Sequence, residues 1–242
     1  MDQLLRDVSA EAKGQGWDEE SLPVGNGINL SALHRRPSGV RKRFFVSTGV
    51  HGDEPAGPLA ARALIKDDRL PADAECWVLP CINPTGFALN QRENQEGIDL
   101  NRDYRNPRSL EVQAQIRWLQ DKGAFDCAVC LHEDWEAKGF YMYAVNPDKM
   151  PCVSSSILES VERAFPIDRS EEIEGFPAVN GIIHPLVDFE GRQEWPESLY
   201  LAKHHAALGY TLETSSDFPL NARVSALVEA VIAMMTAVSS VE

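Results

Sequence analysis

The chain has 242 residues, of which 43% are hydrophobic and 25% charged. This is enough apolar material for a large core, and we expect residues 1–242 to form a single catalytic domain. Lys and Arg number 23 against 37 Asp and Glu, giving a net charge of −14. This acidic balance argues against non-specific nucleic-acid binding and against docking on anionic membranes, because both require a basic face.

The N-terminal segment and the cysteines predict a cytoplasmic protein with reduced thiols. Residues 1–17 lack the apolar segment of a secretory signal, and no apolar run approaches the ~20 residues of a membrane span. The five cysteines are an odd set for a disulfide framework. Cys127 and Cys130 form a CxxC, but a separation of three on a strand places two side chains on opposite faces. We therefore interpret them as buried thiols rather than as a metal or redox pair.

Strand-like and helix-like segments alternate along the chain. In chain order, the patterns predict a helix at 2–13, strands at 27–33 and 43–50, a helix at 56–68, a strand at 76–82, a long polar loop at 83–107, a helix at 109–123, strands at 127–132 and 139–145, a helix at 154–165, a surface loop at 166–180, one or two short strands at 181–189, a helix at 197–208, a strand at 209–215 and a helix at 221–240. This alternation predicts an α/β fold, a three-layer α/β/α sandwich with a mixed, largely parallel central sheet. The strand order stays open.

Polar residues follow the ends of four predicted strands. His51 and Asn83 come directly after two of them, His132 is the last residue of the third, and Glu213 lies at the end of the last. Ligands of open α/β sheets bind beyond the carboxyl ends of the strands. These four residues are therefore candidates for one shared site.

His51 and Glu54 form an HxxE in a strand-to-helix turn. Adding His132 gives two imidazoles and one carboxylate, a set used by catalytic zinc sites that keep a position open for water. An acidic first turn of a helix also explains HxxE, and a core histidine also explains His132. Their joint placement favours the metal site.

The loop at 83–107 supplies residues suited to a hydrolase. Arg92 and Arg102 are permanent cations that could face a developing oxyanion and a substrate carboxylate. Asn101 could add a hydrogen bond, and Asp99 could accept the second ring N–H of a ligand histidine. The alternative for the arginines is ordinary solvation in a polar loop.

Together these motifs resemble the zinc carboxypeptidases of the carboxypeptidase A superfamily. The matching pieces are HGDE at 51–54, NPTGF at 83–87, Arg92, GIDLNR at 97–102, His132 and TLE at 211–213. Their order and approximate spacing match from about residue 43 to residue 215. The chain looks most like the compact bacterial branch that includes murein peptide amidases. The more distant succinylglutamate desuccinylases and aspartoacylases share the HxxE, the DLNR and the late glutamate.

The resemblance implies one Zn²⁺ per chain, held by His51, Glu54 and His132. Glu213 matches the general base, which takes a proton from the zinc-bound water and passes it to the leaving amine. Arg92 matches the arginine that polarises the scissile carbonyl and stabilises the oxyanion.

The resemblance also assigns substrate contacts. Asn101 and Arg102 match the pair that binds the terminal carboxylate of the substrate, and Asp99 matches the aspartate that orients the first ligand histidine. One element is missing: digestive carboxypeptidases carry a mobile tyrosine about twenty residues before the catalytic glutamate, whereas residues 188–195 contain none. Tyr200 falls on a predicted helix, so the tyrosine's role is not transferred to it.

The sequence therefore predicts a zinc-dependent carboxypeptidase or amidase that acts on a small peptide-like substrate with a free carboxylate. Glu133 and Asp134 are expected either to line the pocket, favouring a cationic substrate, or to belong to a solvated turn. One alternative function is an N-acyl amino-acid deacylase of the succinylglutamate desuccinylase or aspartoacylase type. Another is a non-catalytic protein that binds peptide or metal without turnover.

Overall fold

A computed structural model describes residues 2–241, and ten strands in this range form one sheet. The strands are β1 (Asp18–Gly25), β2 (Ile28–Arg35), β3 (Lys42–Thr48), β4 (Ala74–Leu79), β5 (Cys127–Asp134), β6 (Tyr141–Val145), β7 (Glu172–Ile173), β8 (Phe176–Val179), β9 (Ile182–Ile183) and β10 (Gly209–Ser215). The helices are α1 (Asp2–Gly14), α2 (Ala56–Lys66), α3 (Pro84–Leu89), α4 (Leu110–Leu119), α5 (Ser154–Val161), α6 (Glu197–His204) and α7 (Leu220–Ser240), with a 3₁₀ turn at Leu100–Arg102.

The sheet order is β1-β2-β4-β3-β5-β10-β6-β9-β8-β7. The central strands β4, β3, β5 and β10 are mutually parallel, and antiparallel pairs flank them on both sides. Every residue of β4, β5 and β10 is buried, because helices cover both faces of the sheet centre. The predicted α/β sandwich with a mixed, largely parallel sheet is confirmed.

Two apolar cores separate the layers. One lies between the sheet and helices α1, α2, α5 and α7, and the other lies between the opposite face and helices α4 and α6. The thiols of the CxxC follow this division, since Cys127 belongs to the first core and Cys130 to the second. All five cysteines are free, as expected for reduced thiols.

Helix α7 departs from one expectation. By length and composition alone, Leu220–Ser240 is long and apolar enough to cross a membrane. The prediction that no segment reaches this length was therefore wrong. Buried residues make up 44% of its most apolar window, and its buried side chains, such as Leu227 and Met234, belong to the core shared with α2 and α5. Within this fold it is a core helix.

Several short or exposed elements were not predicted. Strand β1 is mostly exposed at the sheet edge and contains Pro23, so it lacks the alternation and apolar content that identify a strand. The expected surface loop at 166–180 contains the hairpin β7–β8, and the expected loop at 83–107 contains α3. Short elements of this kind carry too few residues for a periodic signal.

Candidate active site

A cluster of metal-ligating groups lies at the carboxyl ends of β3 and β5. His51, Glu54 and His132 are all buried, and one ligand atom from each lies within 4.8 Å of the others. Nδ1 of His51 is 2.5 Å from Oε1 of Glu54, and Nδ1 of His132 is 2.9 Å from Oε2. The structure therefore brings together the three residues that the sequence predicted as metal ligands.

The turn that carries His51 and Glu54 is fixed by close backbone packing. A Cβ at Gly52 would collide with the backbone of Gly86 and of the residue that follows it, so only glycine fits there. Asn83 lies behind the turn: its Oδ1 accepts from the N–H of Gly86 (2.9 Å) and caps α3. Its Nδ2 donates to the carbonyl oxygens of Val50 and Arg92. Asn83 follows β4, but it supports the site from outside the cavity.

Opposite charges stabilise this buried cluster. Burial opposes ionisation of His51, but the Glu54 and Asp99 carboxylates outweigh it and raise the pKa of His51 to about 9. Burial also raises the pKa of Glu54, yet the two imidazoles prevail and lower it to about 2. For His132 burial is the larger effect, and its pKa falls below the ordinary value.

Glu213 faces the cavity beside this cluster. It lies on β10 directly opposite His132 on β5, and it is buried. Within residues 2–241 its carboxylate makes no hydrogen bond or ion pair. Burial, with the nearby carboxylates of Glu54 and Glu174, raises the pKa of Glu213 well above its ordinary value. A buried, unbonded carboxylate of this kind is suited to proton transfer.

Arg92 and Asp99 complete the surroundings of His51. Nε of Arg92 donates to Oδ2 of Asp99 (3.0 Å), and Nη1 of Arg92 is 3.3 Å from Nδ1 of His51. Asp99 Oδ1 is 3.4 Å from Nε2 of His51, the ring nitrogen that faces away from Glu54. Burial opposes ionisation of Asp99, but contacts with His51 and Arg92 hold its pKa below the ordinary value. Asp99 is thus placed to orient the ring of His51.

Asn101 and Arg102 both line the same cavity, whose volume is about 550 Å³. Oδ1 of Asn101 accepts from the backbone N–H of Glu197 at the start of α6 (2.9 Å). This bond leaves the Nδ2 donor of Asn101 available. Arg102 is exposed, and its guanidinium bonds only to the carbonyl oxygen of Asn101 among the described residues. An amide donor and a guanidinium are therefore available for an anionic group.

Of the two alternatives for Glu133 and Asp134, the pocket wall is confirmed and the solvated turn was wrong. Both residues lie on β5 and are buried, so they do not form a solvated turn. Glu133 accepts from the N–H of Ala56 (2.7 Å) and pairs with Arg223. Asp134 accepts from Tyr141 Oη (3.1 Å) and from a backbone N–H. Both residues border the cavity, but their carboxylates are already bound.

The segment that replaces the tyrosine-bearing stretch also borders the cavity, through Arg192, Gln193 and Glu194. Arg105 donates hydrogen bonds to the carbonyl oxygens of Glu190 and Arg192, which holds this segment beside the 3₁₀ turn. Tyr200 lies on α6 and is buried in the core, as expected.

Sequence reasoning missed one wall of the cavity. Tyr143 on β6, Glu174 and Phe176 from the β7–β8 hairpin and Leu186 all line it. Three large apolar side chains at this cavity are exposed: Trp135 (74%), Leu186 (88%) and Phe176 (37%). The strand at 139–145 was predicted, but its contribution to the site was not, and the eight-residue hairpin at 172–179 is too short to give a periodic signal in the sequence.

The amino-acid sequence is similar to a known catalytic-domain family and to two characterised enzymes. The profile of the succinylglutamate desuccinylase/aspartoacylase catalytic domain matches residues 40–163, just over half of the chain. Carboxypeptidase SOL1 of Arabidopsis thaliana is 28% identical over 178 residues, which cover 60% of this chain and 35% of that protein. Murein peptide amidase A of Escherichia coli is 29% identical over 82 residues, 34% of each chain. These matches span about a third of the length of those relatives.

Among solved structures, a candidate metallopeptidase from Shewanella denitrificans superimposes with a TM-score of 0.85 at 22% identity. The superposition covers 99% of this chain and 91% of that one. It therefore confirms the fold over the whole described range. Together with the sequence relatives, it confirms the resemblance to the zinc carboxypeptidases.

Proposed function

We propose that this chain, which belongs to the succinylglutamate desuccinylase/aspartoacylase catalytic-domain family, is a zinc-dependent carboxypeptidase or amidase. Its substrate is a small peptide-like molecule, cleaved at an amide bond near a free carboxylate. The observation that carries this proposal is the meeting of His51, Glu54, His132 and Glu213 in one cavity that also contains Asn101 and Arg102. The named relatives, a carboxypeptidase and a peptide amidase, support the same chemistry.

The residues present suit a zinc ion. Both histidines direct Nδ1 toward the Glu54 carboxylate, and the three ligand atoms are already gathered. Two imidazoles and one carboxylate leave a fourth position for water or substrate, as in catalytic rather than structural zinc sites. Bound there, one zinc ion per chain would supply Lewis acidity, which polarises a carbonyl and acidifies water.

Glu213 is the proposed catalytic base. Its carboxylate faces the cavity, its strand partner is His132, and it has no hydrogen-bond or ion-pair partner within residues 2–241. It accepts a proton from the water as the water oxygen bonds to the carbonyl carbon. It then delivers that proton to the amide nitrogen, the C–N bond breaks, and the amine leaves. Arg92, held by Asp99, keeps its guanidinium beside the ligand cluster, 3.3 Å from Nδ1 of His51, where it stabilises negative charge on the carbonyl oxygen.

Asn101 and Arg102 are the proposed carboxylate-binding pair. The bond from Glu197 to Oδ1 fixes the amide of Asn101, so that Nδ2 can donate to an anion. Arg102 supplies two parallel donors that match a carboxylate. This contact fixes the position of the scissile amide relative to Glu213. Holding reacting groups in position in this way increases the rate of the chemical step.

A second candidate function is an N-acyl amino-acid deacylase, which the matching family profile favours. Exposed Arg192 on the cavity would give such an enzyme a second cation for a dicarboxylate. The test is to compare kcat/KM for benzoyl-glycyl amino acids with kcat/KM for N-succinyl and N-acetyl amino acids. We expect the peptides to be turned over faster. Preference for the N-acyl amino acids would replace the first function with the second, and metal binding without turnover of either class would favour a binding protein.

A further inference from the structure

Glu174 presents a carboxylate to the cavity from an unusual backbone position. It occupies the two-residue turn between Ile173 and Phe176, with φ values of +50° at Glu174 and +76° at Gly175. Hairpin turns with two positive φ values favour Asn or Asp before Gly, whereas a glutamate there is strained. Strain of this kind concentrates at functional sites.

A hydrogen bond fixes this side chain on the cavity wall. Oη of Tyr143 donates to Oε2 of Glu174 at 2.6 Å. Among the described residues, no Lys, Arg or His forms an ion pair with Glu174. The carboxylate is therefore held in place but not neutralised, unlike Glu133, which Arg223 neutralises from within the protein.

Strand pairing puts Glu174 on the same wall as the proposed base. Tyr143 pairs with Thr211 across β6 and β10, and the next pair on that face is Tyr141 with Glu213. Paired residues on antiparallel strands point to the same side. The Glu174 carboxylate, held by Tyr143, therefore lies on the same wall of the cavity as Glu213.

The Asn101–Arg102 pair and Glu174 reach the cavity from segments that follow different strands of the sheet. The 3₁₀ turn with Asn101 and Arg102 follows β4, whereas the hairpin with Glu174 belongs to the edge beyond β6. Strand β10, which carries Glu213, lies between β4 and β6 in the sheet order. A substrate that spans the cavity meets donors for a carboxylate and an acceptor for a cation.

We propose that Glu174, positioned by Tyr143, recognises a cationic side chain on the substrate residue whose carboxylate binds Asn101 and Arg102. The preferred substrates are peptide-like amides of basic amino acids. The location of the scissile bond rests on the proposed function, but recognition of the cation can be measured without turnover.

The test uses pairs of ligands that differ only in charge. Calorimetry on the zinc-loaded protein would compare arginine with citrulline and lysine with norleucine, and kinetics would compare benzoyl-glycyl-arginine with benzoyl-glycyl-citrulline. We expect the charged member to be favoured by about 2- to 5-fold, the range of an ion pair with an exposed carboxylate such as that of Glu174. Glu174→Gln should remove most of this preference, and Tyr143→Phe should reduce it.

Two further variants guard the interpretation. Glu174→Asn suits the turn better than glutamate and should remove the preference without loss of folding. Glu172→Gln, an exposed change on the same hairpin outside the cavity, should leave the preference intact. Equal binding of arginine and citrulline by the wild-type protein, or a preference that survives Glu174→Gln, would overturn the proposal. If the peptides are cleaved without a charge preference, cation recognition by Glu174 is wrong but the proposed function stands. If binding shows a preference that depends on Glu174 but no peptide is cleaved, cation recognition stands and the proposed hydrolysis is wrong.

Discussion

Glu213 and His132 face each other across the parallel strands β10 and β5. The pairing places an unbonded carboxylate next to a proposed metal ligand, although the two residues are 81 positions apart in the sequence (213 − 132). The match to the family profile ends at residue 163, so it does not include Glu213. The sheet, rather than the profile, therefore connects the base to the ligand cluster.

The first prediction concerns this base. Glu213→Gln keeps the size of the side chain but removes its ability to accept a proton, so we expect kcat to fall by about 10²- to 10⁴-fold. The zinc content, measured by mass spectrometry of the metal, should stay near one per chain because the ligands are untouched. Glu159→Gln, an exposed change on α5, is the matched control. An active Glu213→Gln enzyme would remove Glu213 from the mechanism.

The second prediction concerns the metal ligands. His51→Ala deletes one of the three ligand atoms and leaves Glu54 with one imidazole partner instead of two. We expect zinc content to fall at least tenfold after dialysis, and we expect zinc no longer to raise the melting temperature, since a ligand stabilises only the state that binds it. His184→Ala, an exposed histidine outside the cavity, should retain both properties. Full metal occupancy in His51→Ala would contradict the assigned ligand set.

Local patterns explain why the sequence predicted the ligand cluster. His51 and Glu54 lie on one short turn, so their proximity needs no knowledge of the fold. His132 joins them because parallel strands end at the same edge of a sheet. The position of Glu213 beside the ligand cluster is harder to predict from the sequence. It depends on the strand order and register of the sheet, and one sequence shows neither.

The acidic residues were harder to predict because their binding partners lie far away in the sequence. Glu133 lines the cavity, as one alternative expected, but its carboxylate is not available to a ligand because it binds Arg223, which lies 90 positions later. Glu174 was not noticed because a glutamate in a short polar segment resembles ordinary surface. Its position depends on Tyr143, which belongs to another strand. Which of several acidic residues is available to a ligand is therefore decided by tertiary contacts.

The third prediction separates binding from chemistry. Arg102→Gln removes a cation whose proposed partner is the substrate carboxylate, so we expect KM for a benzoyl-glycyl peptide to rise about 10- to 100-fold. The same peptide with an amidated C-terminus should be a poor substrate for both proteins and should show little difference between them. If Arg102→Gln lowers activity equally on the two peptides, the guanidinium does not read the carboxylate.

The fourth prediction concerns the support behind the site. Asn83→Ala removes the cap of α3 and leaves the carbonyl oxygens of Val50 and Arg92 without their side-chain donor. We expect the free energy of unfolding to fall by about 1–3 kcal/mol, measured in urea. Asn106→Ala, at an exposed position, should change it by less than about 0.5 kcal/mol. Equal losses in the two variants would mean that the cap does not stabilise the turn.

The last prediction concerns a buried carboxyl group beneath the substrate pair. Glu197 accepts hydrogen bonds from Ser47 (2.9 Å) and Gln115 (2.5 Å), and its backbone N–H binds Asn101. Burial raises the pKa of Glu197 from the ordinary value of 4.5 to about 6, against those two hydrogen bonds. The folded protein therefore holds this proton more tightly than the unfolded chain does.

The sign of the pH effect follows from this difference in pKa. Below about pH 4.5 the carboxyl group is protonated in both the folded and the unfolded state, so it does not lower the free energy of unfolding. Above about pH 6 folding must bury a charged carboxylate, which lowers the free energy of unfolding by about 2 kcal/mol. Glu197→Gln is neutral at every pH. Its unfolding free energy minus that of the wild-type protein should therefore rise by about 2 kcal/mol between pH 4.5 and pH 7. Urea titrations with a chelator present would measure this, and a constant difference across the range would show that the proton affinity of Glu197 is the same in both states.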